Sequence, residues 1–157
     1  MSNPAPVVRH LDDLVPKLIS PADTVRLATL VRPDDGADTS VFFEIWEPGG
    51  AQPPNSHPDS TEIFVMLCGE GRAFSDDHTV DLRAGDVLIL PPGSVHRIVN
   101  ASATERLYAV TIMAKDSGAL PGGFAALVDR GTPVSWDAAD RAVLAGEPRA
   151  ARRVPAG

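Results

Sequence analysis

Apolar residues recur at two different periods along this chain. Over residues 11–20 (LDDLVPKLIS) they fall at 11, 14, 15, 18 and 19, a helical spacing that Pro16 restricts to a short or broken helix. From Val25 onward the pattern changes to short strand-like runs: 25–31 (VRLATLV), 40–46 (SVFFEIW) and 61–68 (TEIFVMLC) each predict a strand. In the third run Glu62, Phe64, Met66 and Cys68 point one way, and Ile63, Val65 and Leu67 the other. Shorter strands are predicted at 72–75 and 79–82, joined by turn chemistry at Asp76-Asp77. A continuous apolar strand at 86–90 stops at Pro91-Pro92-Gly93, and strands at 95–99 and 106–113 complete the set. Some eight strands, with turn signals every eight to twelve residues or so, predict a closed or sandwiched antiparallel architecture. After Lys115 helical spacing returns at 124–128 and 135–144, where Asp137 suits a helix N-terminus. These pieces are expected to cover an outer face. The organisation is thus an N-terminal extension with a short helix (1–20), a β domain (21–115) and C-terminal short helices with a basic, frayed tail (116–157).

A length of 157 residues suits one domain, and a hydrophobic fraction of 43% is enough for one packed core. The net charge of −7 makes nucleic acid and anionic membrane surfaces poor partners. No apolar run is long enough to span a bilayer, and the first residues lack a signal-peptide layout, so a cytoplasmic location is expected. The lone cysteine, Cys68, allows no internal disulfide and no thiolate cage and reads as core filler. His10 and His78 read as surface residues.

His57 and His96 each follow a Pro/Gly-rich turn at the start of an apolar strand, and Glu62 sits just inside the strand after His57. A carboxylate on the face shared with Phe64 and Met66 costs stability unless it is paired or ligates something. Two imidazoles and one carboxylate form a facial set that leaves coordination positions open, and Fe(II) is the ion it most favours; Zn, Mn and Ni are alternatives. Glu44, on the face of Phe42 and Trp46, and Tyr108, on the last strand, are the candidate proton-transfer groups. Tyr108 and Thr111 face opposite ways, and one of them is expected to reach the pocket. Arg97 should point away from His96, toward a structural ion pair.

The spacing Gly49-x5-Asn55-x-His57-x4-Glu62-x6-Gly69 resembles the first cupin motif, G-x5-H-x-H-x3–4-E-x6-G. Gly85-x5-Pro91-x-Gly93-x2-His96-x3-Asn100 is similar to the second at every position. The resemblance implies an all-β fold, a double-stranded β-helix (cupin or jelly-roll barrel) with short terminal helices, and a metal held by His57, Glu62 and His96. Gly49 and Gly93 are expected at positive φ in the corners. Asn55 stands where the family commonly has a first histidine. It is a weak fourth ligand, a hydrogen-bond donor to a bound water, or a bystander. A shifted frame, with His57 as first histidine and Asp59 as second ligand, breaks the spacing twice.

Three functions follow as expectations. The first is a dioxygenase-like metalloenzyme acting on a small organic molecule. The second is an isomerase, lyase or cyclase using metal-assisted acid–base chemistry, and the third is a non-catalytic small-molecule binder. A homodimer is expected, formed through the outward set Val41, Phe43 and Ile45.

Overall fold

Residues 39–46 and 62–68 are runs rich in β-branched and aromatic residues that form two long strands, and their inward faces frame the interior. The computed structural model describes residues 3–116 and 121–146. The strands are β1 (Lys17–Leu18), β2 (Val25–Val31), β3 (Thr39–Trp46), β4 (Glu62–Cys68), β5 (Glu70–Ser75), β6 (His78–Arg83), β7 (Val87–Leu90), β8 (His96–Asn100), β9 (Leu107–Ala114) and β10 (Thr132–Pro133). The helices are α1 (Gly123–Asp129) and α2 (Ala138–Ala145).

Seven strands form one antiparallel sheet in the order β10-β1-β2-β3-β9-β4-β7, and three form a second in the order β6-β5-β8. The jump from β4 to β9 and from β5 to β8 is the crossing pattern of a double-stranded β-helix. Register fixes which side chains share a face: Phe42 pairs with Thr111 and Thr111 with Phe64, while Val41 pairs with Ile112 and Ile112 with Ile63. The first row lies in the interior. Phe42, Trp46, Phe64, Met66, Leu107, Ala109 and Met113 form the main core together with Ala73, Leu82 and Ile98 of the smaller sheet.

The outer face divides in two. Phe43, Ile45 and Tyr108 are buried beneath Trp136 and the α2 residues Val143 and Leu144. The set expected to pair with a second copy is therefore split, because α2 of the same chain covers Phe43 and Ile45 and leaves only Val41 half-exposed. Asp137 caps α2 as its position predicts, accepting from the Asp140 amide at 2.8 Å.

Three local expectations are corrected. Residues 11–20 form a single 3-10 turn at Leu11–Asp13 followed by β1, because Pro16 denies a helix its amide and the chain pairs with β2 and β10 instead. Cys68 is exposed, since a bulge after Met66 shifts it out of the interior alternation. Helix α1 does not lie on an outer face: Ala125 and Val128 enter the main core, and Phe124 meets Phe42 edge-on at 5.5 Å. No helix among the described residues is long and apolar enough to cross a membrane.

Candidate metal centre

The segment between β3 and β4 carries the first ligand positions, and its path is dictated by β8. Residues 51–55 run antiparallel to that strand. Gln52 N donates to Ile98 O at 3.1 Å, and Asn55 exchanges backbone hydrogen bonds with His96 at 3.0 and 2.9 Å. The corner before β8 holds His57: Gly93 N donates to His57 O at 2.8 Å, from a φ of +83° that favours glycine. The two motif turns are therefore hydrogen-bonded to each other. Glu62 opens β4 and His96 opens β8, both with side chains directed inward.

These constraints bring the three sequence-predicted ligands together. One ligand atom from each of His57, Glu62 and His96 lies within 4.8 Å of the others. His96 Nε2 is 2.7 Å from Glu62 Oε2, and His57 Nε2 is 3.6 Å from the same oxygen. Neighbouring ligands around one divalent ion at about 2.1 Å stand about 3 Å apart, so the spacing suits a shared ion. Glu62 and His96 are buried. Despite their proximity, neither Glu62 Oε2 nor His96 Nε2 makes a hydrogen bond. Two buried lone-pair-bearing atoms 2.7 Å apart are costly unless a proton or a cation lies between them. His96 Nδ1 lies 3.1 Å from the Ser94 carbonyl, which can accept its proton and leave Nε2 with a free lone pair. The donor set therefore fits a divalent metal.

Asn55 lies on the same side as His96, as its place opposite that residue requires. Its amide nitrogen donates to Pro53 O at 3.2 Å, while Oδ1 is buried without a partner. Asp59, the ligand of the shifted frame, is exposed and stands outside the cluster.

Of the two proton-transfer candidates, one faces the interior. Glu44 is buried on the face of Phe42 and Trp46 and accepts from Gln52 Nε2 at 2.9 Å. Burial first, and the Glu62 carboxylate second, push its carboxyl up to about 8; Thr111 and Gln52 pull weakly the other way. Tyr108 lies on the opposite face, because it pairs with Ile45 and not with an inward residue. Its hydroxyl donates to Asp140 Oδ1 at 2.8 Å beneath α2, so the expected pocket role is not met. Thr111 is the residue of that pair that faces inward, beside Phe42 and Phe64. Arg97 faces away from His96 as expected, yet it stacks on Phe74 at 4.9 Å in place of an ion pair. His10 and His78 are exposed.

Sequence reasoning missed two neighbours of the site. Gln52 bridges Glu44 and the Ile98 amide, which its Oε1 accepts at 3.2 Å; nothing in a Pro-rich loop marks it. Phe124 meets the His57 ring edge-on at 5.6 Å. The only signal was its place in an amphipathic stretch, which does not say which face of the barrel that stretch covers.

Residues 42–113 match the family model of the cupin domain, Cupin_2. Over 42 residues, 26% of this chain, it is 50% identical to the uncharacterized protein YdbB of Bacillus subtilis. Over 79 residues, 45% of the chain, it is 32% identical to oxalate oxidase 1 of Hordeum vulgare. The matched stretches span 37% and 39% of those relatives, little more than a third of their length. A Cupin 2 conserved barrel protein from Salinispora arenicola superposes with a TM-score of 0.57 at 27% identity, over 81% of this chain and 96% of that one. Motifs, sheet order and matched family model agree: residues 42–113 of this chain form a cupin domain.

Proposed function

We propose that this protein is a metal-dependent oxidoreductase of dioxygenase type that acts on a small organic molecule and holds one divalent ion, Fe(II) in the first instance, on His57, Glu62 and His96. The observation that carries the reading is the convergence of the buried atoms Glu62 Oε2 and His96 Nε2, which make no hydrogen bond, with His57. When bound, an ion held by these two imidazoles and one carboxylate would leave coordination positions for oxygen ligands and supply redox chemistry there. The chain's own residues do the rest. Glu62 offsets one unit of the ion's charge. The Ser94 carbonyl is placed to accept from His96 Nδ1, which would leave Nε2 for the ion. Phe42, Phe64 and Met113 line the interior around the ligands and exclude water, which strengthens every charge interaction there. Similarity to an oxalate oxidase supports redox chemistry on a small oxygen-bearing molecule.

A second reading, acid–base chemistry of the isomerase or lyase kind, is favoured by Glu44. With its carboxyl pushed up to about 8, it holds a proton at neutral pH and could donate or retrieve one. The test is reconstitution with Fe(II), Mn(II), Zn(II) or Ni(II) without oxygen, followed by metal analysis and an O2-uptake screen. About one ion per chain in the parent and a near-zero level in His96→Ala is expected, with substrate-dependent O2 uptake. Equal, near-zero metal in both proteins would refute the metal reading. Turnover without O2 uptake would select the acid–base reading.

A further inference from the structure

Two of the three candidate ligands are walled in by their own strands. Glu62 stands between Leu90 and Met113, both buried, and His96 between Ser75 and the Asn55 rung. His57 is the most accessible, with its side chain 18% exposed against 6% for Glu62 and 3% for His96. The way in from solvent therefore runs past the His57 ring.

Phe124 occupies that edge. Its ring meets His57 edge-on at 5.6 Å and Phe42 edge-on at 5.5 Å, and the residue is half-buried. The ring belongs to the first turn of α1, and a short chain of hydrogen bonds holds that turn to the barrel. The buried carboxylate of Asp116, just past β9, accepts the Phe124 amide at 2.9 Å and the hydroxyl of Ser40 on β3. Ser40 pairs with Met113, and Met113 with Glu62, so the chain starts in the same cross-strand row as a ligand. Gly123, at φ +68°, passes so close that a Cβ there would lie 2.4 Å from the Asp116 carboxylate. Gly122 precedes it at φ +78°, and a glycine pair changes backbone conformation at little steric cost. Further along α1, Ala125 and Val128 are anchored in the main core. The first turn alone can then lift, because water replaces the hydrogen bonds that it gives up and local opening of such a segment costs far less than unfolding.

We propose that Phe124 and the first turn of α1 form a gate over the metal centre, latched by Ser40 and Asp116, which sets how fast an ion or a ligand reaches His57 and not how tightly it is held. The ion rests on the metal reading above, whereas the gate can be read on the His57 imidazole itself.

The first measurement uses the metal-free protein. Acylation by diethyl pyrocarbonate at about pH 8, above the ordinary imidazole range, is followed residue by residue by peptide mass spectrometry. The exposed His10 and His78 serve as internal references. In the parent His57 should react at least about tenfold more slowly than they do, and Phe124→Ala should remove most of that difference. Ser40→Ala, which takes away a latch hydroxyl and leaves α1 and the ring intact, should speed His57 severalfold, while Phe124→Leu should stay near the parent. The second measurement uses protein loaded with Co(II), whose visible spectrum reports uptake and loss to excess chelator. Phe124→Ala should speed both by about tenfold and leave the equilibrium affinity within about threefold, a pattern that a merely structural support of His57 would not give. Parent His57 reacting as fast as the references, an unchanged rate in Phe124→Ala, or faster loss of the ion with unchanged uptake overturns the gate. A parent that retains no Co(II) overturns the metal reading, and the acylation rates then decide the gate by themselves.

Discussion

Asn55 and His96 exchange both backbone hydrogen bonds, at 3.0 and 2.9 Å, so a loop residue and the first residue of β8 form one rung with their side chains on the same side. The rung places an amide oxygen with no partner of its own beside a candidate ligand. An amide oxygen is a weaker donor than imidazole for a transition metal. Asn55→Ala should therefore lower metal affinity by less than about tenfold, while Asn55→His should raise it by about tenfold or more. The check is competition for the ion against a calibrated chelator. A complete loss of metal in Asn55→Ala would make the amide an essential ligand.

Glu44 should give the metal-free protein a pH-dependent stability. Its carboxyl stands at about 8 when folded against an ordinary value of 4.5. Between those values the folded chain holds a proton that the unfolded chain has lost, so stability falls as pH rises through that window. Below it the contribution is fully present, and above it the loss is complete. The slope is at most about 1.4 kcal/mol per pH unit. Urea midpoints measured from pH 5 to pH 8 should decline in the parent and flatten in Glu44→Gln.

Asp140 should matter to stability and not to metal. It is fully buried and receives Arg26 at 3.0 Å, Arg106 at 2.9 Å and the Tyr108 hydroxyl at 2.8 Å while closing the capping box of α2. Removing one partner of such a network leaves buried charge behind, so Asp140→Ala should cost about 3–5 kcal/mol. Thermal unfolding should register the loss. Metal content of the folded fraction should equal the parent's.

We propose a homodimer through the part of the outer face that α2 leaves open. Val41, Ile112, Ile63 and Ile89 form one cross-strand row on four adjacent strands, and Ile89 is 65% exposed. A row of aliphatic side chains at the edge of a large sheet is a poor surface to leave in water. Light scattering at micromolar concentration should give twice the chain mass in the parent and a single chain mass in Ile63→Lys/Ile89→Lys. A parent of single-chain mass would refute the dimer.

The sequence by itself determined the main strands and which three side chains, His57, Glu62 and His96, would converge. Apolar, β-branched and aromatic runs over residues 39–46 and 62–68 mark strands, and turn residues at fixed spacing set where His57 and His96 begin their approach. These are local properties, legible along the chain. Only the tertiary structure decided between Tyr108 and Thr111, since parity tells which residues differ in face but not which face is inside until β9 is paired with β3 and β4. The same holds for α1 and α2: both are short amphipathic helices, yet one enters the mouth with Phe124 and the other covers Phe43 and Ile45. Amphipathicity reports that a face will be buried and is silent on its partner. Cys68 shows the converse, because a one-residue bulge reversed the face that alternation assigned it.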